Sequence, residues 1–276
     1  MTTTRRFLPA DPADFLRAIV PLVLLALAAA VPAARLIVVV ALVAGAAVAI
    51  GRDAPVRWAW AAAIPVAVSL AWSVWPLPIP IAAPGGADCT DPASPIAVWR
   101  ALEAMVVLGV LATLALLLGA PRASLALRMP ARRYVRWAVV GFLLAGPAAL
   151  LVGPLLARPF FGDVGYDVTM VGAIVPALLF AVANGVMEEA IYRGALLGWT
   201  AKVMGVGPAL VGQAVVFGLA HSGPDVIGSP VPLMLLLGVG GLLAGVVAIR
   251  TRSLLLPMAI HIGVDIPIYY ALACPA

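Results

Sequence analysis

Acidic, basic and imidazole side chains lie inside apolar stretches of the chain, at spacings that suit hydrolytic chemistry. Residues 186–194 read VMEEAIYRG, with two adjacent glutamates and an arginine. Farther along, FGLAH ends in His221, and HIGVD begins with His261 and ends in Asp265. A carboxylate can activate a water molecule, and an imidazole can hold that water or stabilise an oxyanion. These residue types therefore predict acid–base hydrolysis, provided that the three motifs meet.

The spacing within the first motif predicts different roles for the two glutamates. On an α-helix, Glu189 and Arg193 lie on one face and can form an ion pair, because they are four residues apart. Glu188 points about 100° away, on the face of Asn184 and Tyr192. No second cation lies nearby in the sequence. We therefore expect the arginine to neutralise one carboxylate while the other faces a polar cavity.

Several structural readings compete with this chemistry. Glu189 and Arg193 alone would most simply be a structural pair, and a single buried histidine is often only a hydrogen-bonded core residue. Each charge near a bilayer centre costs about 2.5–3.5 kcal/mol on insertion scales, so such groups must face one another or water. Because the ionisable residues of the last four predicted spans fall into three short motifs, we favour one shared functional pocket.

The motifs leave the choice of cofactor open. They contain neither Ser nor Cys, which argues against a covalent nucleophile. Two imidazoles with carboxylates would suit a divalent metal such as Zn²⁺, with water at the open position, although no H-E-x-x-H is present. We favour chemistry without a cofactor. The candidate metal ligands, if a metal binds, are Glu188, His221, His261 and Asp265.

The elements that carry the motifs are predicted to be transmembrane helices. Of the 276 residues, 64% are hydrophobic and 11% are charged, whereas soluble domains carry about 25% charged residues. Apolar runs of about 17–25 residues can span a bilayer, and their continuity argues against an outer-membrane barrel. We predict an all-α, polytopic helical bundle of about nine spans. The predicted spans are 16–33, 35–51, 56–76, 96–120, 137–157, 169–199, 206–221, 231–249 and 253–272.

The positions of Lys and Arg predict the orientation of the bundle. Most of them fall in alternate loops, which places the N-terminus inside and the C-terminus outside. The net charge of +5 is thus explained by topology, and we expect no nucleic-acid partner. Cys89 and Cys274 then lie outside, where a disulfide is permitted. Whether they pair stays open, since two cysteines in a membrane protein are more often unpaired.

In their order along the chain, EEAIYRG, FGLAH and HIGVD match E-E-x-x-x-R, F-x-x-x-H and H-x-x-x-N/D. On membrane helices this pattern resembles the CPBP family, which comprises the CAAX prenyl endopeptidases of the Ras-converting type and their bacterial relatives, the Abi proteins. The resemblance covers about residues 165–272. It implies N-terminal transmembrane helices of unassigned role at 1–133 and a catalytic helical core at 134–276, joined in one membrane domain.

The resemblance also implies a role for each motif residue. Glu188 would be the general base and His221 would hold the water. Glu189 and Arg193 would form a structural pair, and His261 with Asp265 would stabilise the oxyanion or bind the water. Many CAAX enzymes have Asn at the position of Asp265. An ionised aspartate cannot donate a hydrogen bond, so Asp265 would have to be protonated or to orient His261.

We therefore predict an intramembrane endopeptidase, either glutamic-type or metal-dependent, in a bacterial inner membrane. Its expected partners are the lipid bilayer and a membrane-associated protein or peptide substrate. Two non-proteolytic alternatives use the same pocket. One is a proton-coupled transporter, because intramembrane acids and histidines also form proton relays. The other is a bacteriocin-immunity or binding protein that captures a peptide without cutting it.

Overall fold

The computed structural model describes residues 11–72, 74, 89–161, 167, 169–221 and 231–274. The α-helices of these residues are α1 Pro12–Ala30, α2 Arg35–Gly51, α3 Arg57–Trp72, α4 Pro95–Leu117, α5 Arg132–Phe161, α6 Ile174–Glu188, α7 Gly198–Met204, α8 Val206–Ala220, α9 Val231–Thr251 and α10 Leu255–Ala273. A π-helix, Glu189–Leu197, connects α6 to α7. Short 3₁₀ turns are Pro32–Ala34, Arg122–Leu125 and Val171–Ala173. The predicted all-α class is confirmed.

Among the described residues, seven helical stretches are long and apolar enough to cross a membrane. They are Pro12–Ala30, Pro32–Gly51, Pro95–Leu117, Arg132–Leu155, Val171–Met204, Val231–Thr251 and Leu255–Ala273. The polytopic helical bundle is therefore confirmed. Two predicted spans, 56–76 and 206–221, correspond to α3 with 16 residues and α8 with 15. These are shorter than the roughly 20 residues that a span usually needs, and the count of nine stays a prediction.

One compact unit consists of Met1–Pro76, Val107–Arg128 and Ala190–Leu254. Within it α1 packs against α2, α3, α7 and α8, while α8 packs against α9. Its glycines permit close packing: a Cβ added at Gly198 would collide with the backbone oxygen of Ser124, and one added at Gly241 would lie 2.9 Å from the Phe217 ring. These contacts agree with the close approach that small-residue spacings allow in membrane helices.

The second compact unit consists of Leu77–Val106, Met129–Glu189 and Leu255–Ala276. In it α10 packs against both α5 and α6. A Cβ added at Gly263 would lie 2.7 Å from the backbone oxygen of Phe142 on α5, and one added at Gly185 would lie 2.8 Å from Cγ1 of Ile262. Glycine is therefore required where α10 approaches each neighbour. The predicted division of the chain into residues 1–133 and 134–276 stays a prediction. It was based on where the motifs lie, whereas the two compact units are defined by packing.

Residues near the ends of separate helices come together within each unit. In the second unit Cys89 and Cys274 form a disulfide, with Cα atoms 5.5 Å apart, so the less expected of the two alternatives holds. The backbone N–H of Asp167 also donates to the carbonyl of Cys274 over 3.2 Å. In the first unit Lys202 Nζ lies 3.1 Å from the ring centroid of Trp58. Which of the two sides faces the cytoplasm stays a prediction.

Replacing Gly263 with alanine is predicted to destabilise the protein. The added methyl group meets a backbone oxygen that cannot rotate away, and overpacking of this kind costs about 1–3 kcal/mol. The matched control is Gly153→Ala, also in the second unit, where no described atom lies within 4 Å of an added Cβ. There the higher helix propensity of alanine, up to about 1 kcal/mol, should favour folding. Thermal unfolding in detergent should give a lower midpoint for Gly263→Ala than for Gly153→Ala, and equal midpoints would contradict the packing.

Candidate functional site

The helix that carries the two adjacent glutamates changes its geometry between them. α6 is α-helical through Glu188, and the π-helix begins at Glu189. A π-helix has wider turns, with hydrogen bonds from residue i to i+5, and it is found frequently at functional sites. The α-helical spacing expected for Glu189 and Arg193 is therefore wrong in this stretch. These two residues belong to different compact units, and their ion pair stays a prediction.

In the second unit, three carboxylates from α6, the π-helix and α10 lie around the imidazole ring of His261. His261 Nδ1 lies 2.9 Å from Glu189 Oε1. His261 Nε2 lies 3.6 Å from Glu188 Oε2 and 3.7 Å from Asp265 Oδ2. Glu188, Glu189 and Asp265 are only 8%, 1% and 2% exposed. The structure thus brings together two of the three predicted motifs in one buried acid–imidazole cluster.

Glu189 has a contact that its place in the sequence did not reveal. It was expected to serve only the arginine, but its Oε1 atom accepts a hydrogen bond from His261 Nδ1. A carboxylate oxygen accepts, so Nδ1 carries the hydrogen and Nε2 is the ring nitrogen that faces Glu188 and Asp265. Glu189 therefore fixes the direction of the imidazole. The two residues are 72 positions apart, and helical spacing cannot reveal a contact between separate helices.

Asn184 and Arg100 also belong to the surroundings of this cluster. Asn184 Nδ2 donates to Asp265 Oδ2 over 2.9 Å. Arg100 forms an ion pair of 2.7 Å with the buried Glu103 on α4, and its guanidinium carbon lies 5.8 Å from the ring centroid of Phe180 on α6. The helical spacing placed Asn184 on the face of Glu188, and the three motifs do not include Arg100 or Glu103. The signal that could have found them is the presence of further polar residues inside predicted spans.

The remaining motif residues gather around an aromatic ring in the first unit. The guanidinium carbon of Arg193 lies 4.2 Å from the ring centroid of Phe217. Tyr192 packs edge-on against the same ring at 5.0 Å, and the His221 ring lies 4.7 Å from it. Phe217 thus contacts residues of both the first and the second motif. A cation over an aromatic face is stabilised by the ring quadrupole, which gives the phenylalanine of F-x-x-x-H a structural role.

The hydrogen bond of His221 selects one tautomer of its ring. His221 lies at the C-terminal end of α8, with Nδ1 2.7 Å from the carbonyl oxygen of Phe217. A carbonyl oxygen only accepts, so Nδ1 carries a hydrogen and donates it. In the neutral ring Nε2 then keeps its lone pair. His221 is therefore oriented to accept a hydrogen bond from water, or to bind a metal ion, through Nε2.

Whether the candidate zinc ligands bind a metal ion stays a prediction. Within the part of the chain that the structure describes, no group of three or more His, Cys, Asp or Glu side chains is arranged to hold a metal ion. His261 faces carboxylates with both ring nitrogens, an arrangement that is compatible with acid–base chemistry.

Comparison with known families adds one finding. Residues 170–267 match the family model described as type II CAAX prenyl endopeptidase Rce1-like. This part of the chain is similar to that family, and we refer to it as the Rce1-like domain. The matched range contains every predicted site residue, and it agrees with the CPBP resemblance. The Rce1-like domain supports a membrane protease of the CAAX type. No curated protein and no solved structure gives a significant match to the chain.

Nitrogen NMR of the two histidines should test the geometry without a substrate. The chain contains only two histidines, so protein labelled with ¹⁵N-histidine gives two sets of ring signals. We expect the neutral ring of His221 to be the Nδ1–H tautomer, because the Phe217 carbonyl accepts that hydrogen. His221→Gln and His261→Gln variants assign the signals. An Nε2–H tautomer at His221 would contradict the hydrogen bond.

Proposed function

We propose that this protein is an intramembrane endopeptidase that hydrolyses a peptide bond of a membrane-associated protein or peptide. The observation that carries the proposal is the buried cluster of Glu188, Glu189, His261 and Asp265 inside the Rce1-like domain. Such ionisable groups are expensive within a membrane and are a mark of function there. We further propose a bacterial inner membrane as its location.

Glu188 is the general base in this proposal. It removes a proton from a water molecule as the water oxygen attacks the carbonyl carbon of the substrate, and it returns that proton to the leaving nitrogen. Two features support the assignment: Glu188 stands at the first glutamate of the E-E-x-x-x-R motif, and it lies one α-helical turn from Asn184, on the face that reaches Asp265. His221 holds the water, because its Nε2 lone pair is directed away from the Phe217 carbonyl.

His261 is the donor to the oxyanion in this proposal. Its Nδ1 is engaged with Glu189, so Nε2 is the nitrogen that can donate when it carries a hydrogen. Asp265 accepts from the Asn184 amide, and this favours an orienting role over a donor role for Asp265. A single oxyanion donor can contribute about 2.7–4 kcal/mol to a transition state. Arg193 is the structural partner of Glu189 in this proposal. Its guanidinium group also lies over the Phe217 ring.

Replacing Glu188 with glutamine should abolish processing of the substrate. The amide keeps the size of the side chain but cannot take a proton, and general-base catalysis contributes about 10²–10⁴-fold to a rate. Quantitative proteomics of membranes from cells producing either wild type or Glu188→Gln should reveal C-termini or membrane segments that stay uncut in the variant. His221→Ala should give the same set of uncut proteins.

The control for that comparison is Asp14→Asn, which removes a carboxylate from a pair with the exposed Arg17 on α1. Asp14→Asn should leave the membrane proteome unchanged, with all three variants produced at the wild-type level. Unaltered processing in both Glu188→Gln and His221→Ala cells would refute the mechanism. Proton flux in liposomes that is lost in Glu188→Gln would instead favour a transporter.

Removal of metal ions should leave the peptidase active. We propose chemistry without a cofactor, supported by the hydrogen-bonded arrangement of the cluster. Protein purified into nanodiscs and dialysed against a chelator should cleave a peptide spanning the identified site at the untreated rate. Elemental analysis should find well below one zinc ion per chain. Stoichiometric zinc whose loss and return switch cleavage off and on would establish the metal-dependent alternative.

A further inference from the structure

Asn184 is a buried amide that the motif pattern does not include. Its Nδ2 atom donates to Asp265 Oδ2 over 2.9 Å, and its Oδ1 atom is buried without a hydrogen-bond partner among the described residues. A buried polar atom that lacks a partner is uncommon and requires an explanation. An apolar residue of the same shape would avoid that cost. The side chain is therefore of interest for what its amide does to Asp265.

The hydrogen bond from Asn184 is accepted by the carboxylate oxygen of Asp265 that lies nearest to His261. Asp265 Oδ2, which accepts from Asn184, is the same oxygen that lies 3.7 Å from His261 Nε2. Because Asp265 and His261 are four residues apart on α10, a direct hydrogen bond between them is within easy reach. The separation of 3.7 Å exceeds hydrogen-bond length. Asp265 Oδ2 accepts its hydrogen bond from a residue of another helix instead.

The packing of α6 against α10 makes this restraint firm. Gly185, next to Asn184, lies so close to Ile262, next to His261, that an added Cβ would meet its backbone nitrogen at 3.2 Å. The backbones of α6 and α10 are therefore in close contact beside the hydrogen bond from Asn184 to Asp265. On α6, Asn184 also lies one turn before Glu188, so the same helix face presents both the restraint and the proposed base.

We propose that Asn184 is a positioning residue that holds Asp265 Oδ2 on α6 and thereby keeps His261 Nε2 directed toward Glu188 and the reacting atoms. This inference rests on the proposed function for its catalytic consequence, but its geometric part does not. Without the amide, Asp265 turns to His261 and binds Nε2 directly. The Nε2–H group then donates to Asp265 within α10, and it can no longer donate to the oxyanion.

The first test uses ¹⁵N-histidine spectra at a single pH and needs no substrate. Asn184→Leu keeps the shape and removes the amide, so the Nε2 signal of His261 should move while the signals of His221 stay in place. Asn184→Asp, which cannot donate, should move it too. In the double variant Asn184→Asp with Asp265→Asn, the amide donates in the opposite direction across the same pair, and the His261 signal should return toward its wild-type position.

The matched control is Gln213→Leu, which also removes a buried amide. Gln213 Nε2 donates to the carbonyl oxygens of Leu210 and Gly241 in the first unit, so its loss should leave the His261 signals unchanged. An unchanged His261 spectrum in folded Asn184→Leu protein would overturn the proposal. So would a shift of equal size in Gln213→Leu, because the effect would then come from general loosening of the fold.

The second test measures the rate at which the protein cleaves the substrate peptide described for the metal-removal experiment. Asn184→Leu should lower kcat about tenfold, the effect expected from one lost hydrogen bond, with little change in KM, and the double variant should recover most of the loss. A shifted His261 signal with unchanged kcat would overturn the catalytic part of the proposal. If Glu188→Gln also cleaves normally, the proposed function itself fails, whereas the spectra still decide whether Asn184 positions Asp265.

Discussion

The contacts of His261 with three carboxylates set the constraint on which the second unit depends. Each ionised group costs about 2.5–3.5 kcal/mol near a bilayer centre, so these side chains are tolerable only when they stay within a few ångströms of one another. The observed separations of 2.9–3.7 Å require α6 and α10 to be in close contact. Gly185 permits this, since a Cβ added there would lie 2.8 Å from Cγ1 of Ile262 on α10.

The change from α-helix to π-helix explains how two adjacent glutamates serve one site. Through Glu188 the helix keeps α-helical spacing, so Glu188 stays in line with Asn184 and with the face that reaches Asp265. From Glu189 onward the turns are wider. Glu189 meets the Nδ1 side of His261, while Glu188 lies nearer the Nε2 side. The two carboxylates thus approach one imidazole at its two nitrogens, and in the proposed mechanism the Nε2 side faces the reacting atoms.

The helical class, seven of the membrane spans and the gathering of Glu188, His261 and Asp265 could be predicted from the sequence. Hydropathy is a local property, and charged groups inside a membrane must face one another or water. The contacts of Glu189 and Asn184 with α10, and the Cys89–Cys274 disulfide, could not be predicted. Each joins residues far apart in the chain, and spacing carries no information about which helices become neighbours. The π-helix could not be predicted for a different reason. Its residues, EAIYRGALL, are equally compatible with an α-helix.

The position of Arg100 gives the N-terminal helices a physical connection with the site. The cluster contains three buried carboxylates and one imidazole, and Glu103 adds a fourth carboxylate. Arg100 forms an ion pair of 2.7 Å with Glu103, and its guanidinium carbon lies 5.8 Å from the ring centroid of Phe180 on α6. In surroundings of low dielectric constant an ion pair is far stronger than in water. Since α4 lies outside residues 170–267, a charged pair from the chain before the Rce1-like domain lies beside the helix that carries Glu188. The chain before it must be counted as part of the environment in which Glu188 works.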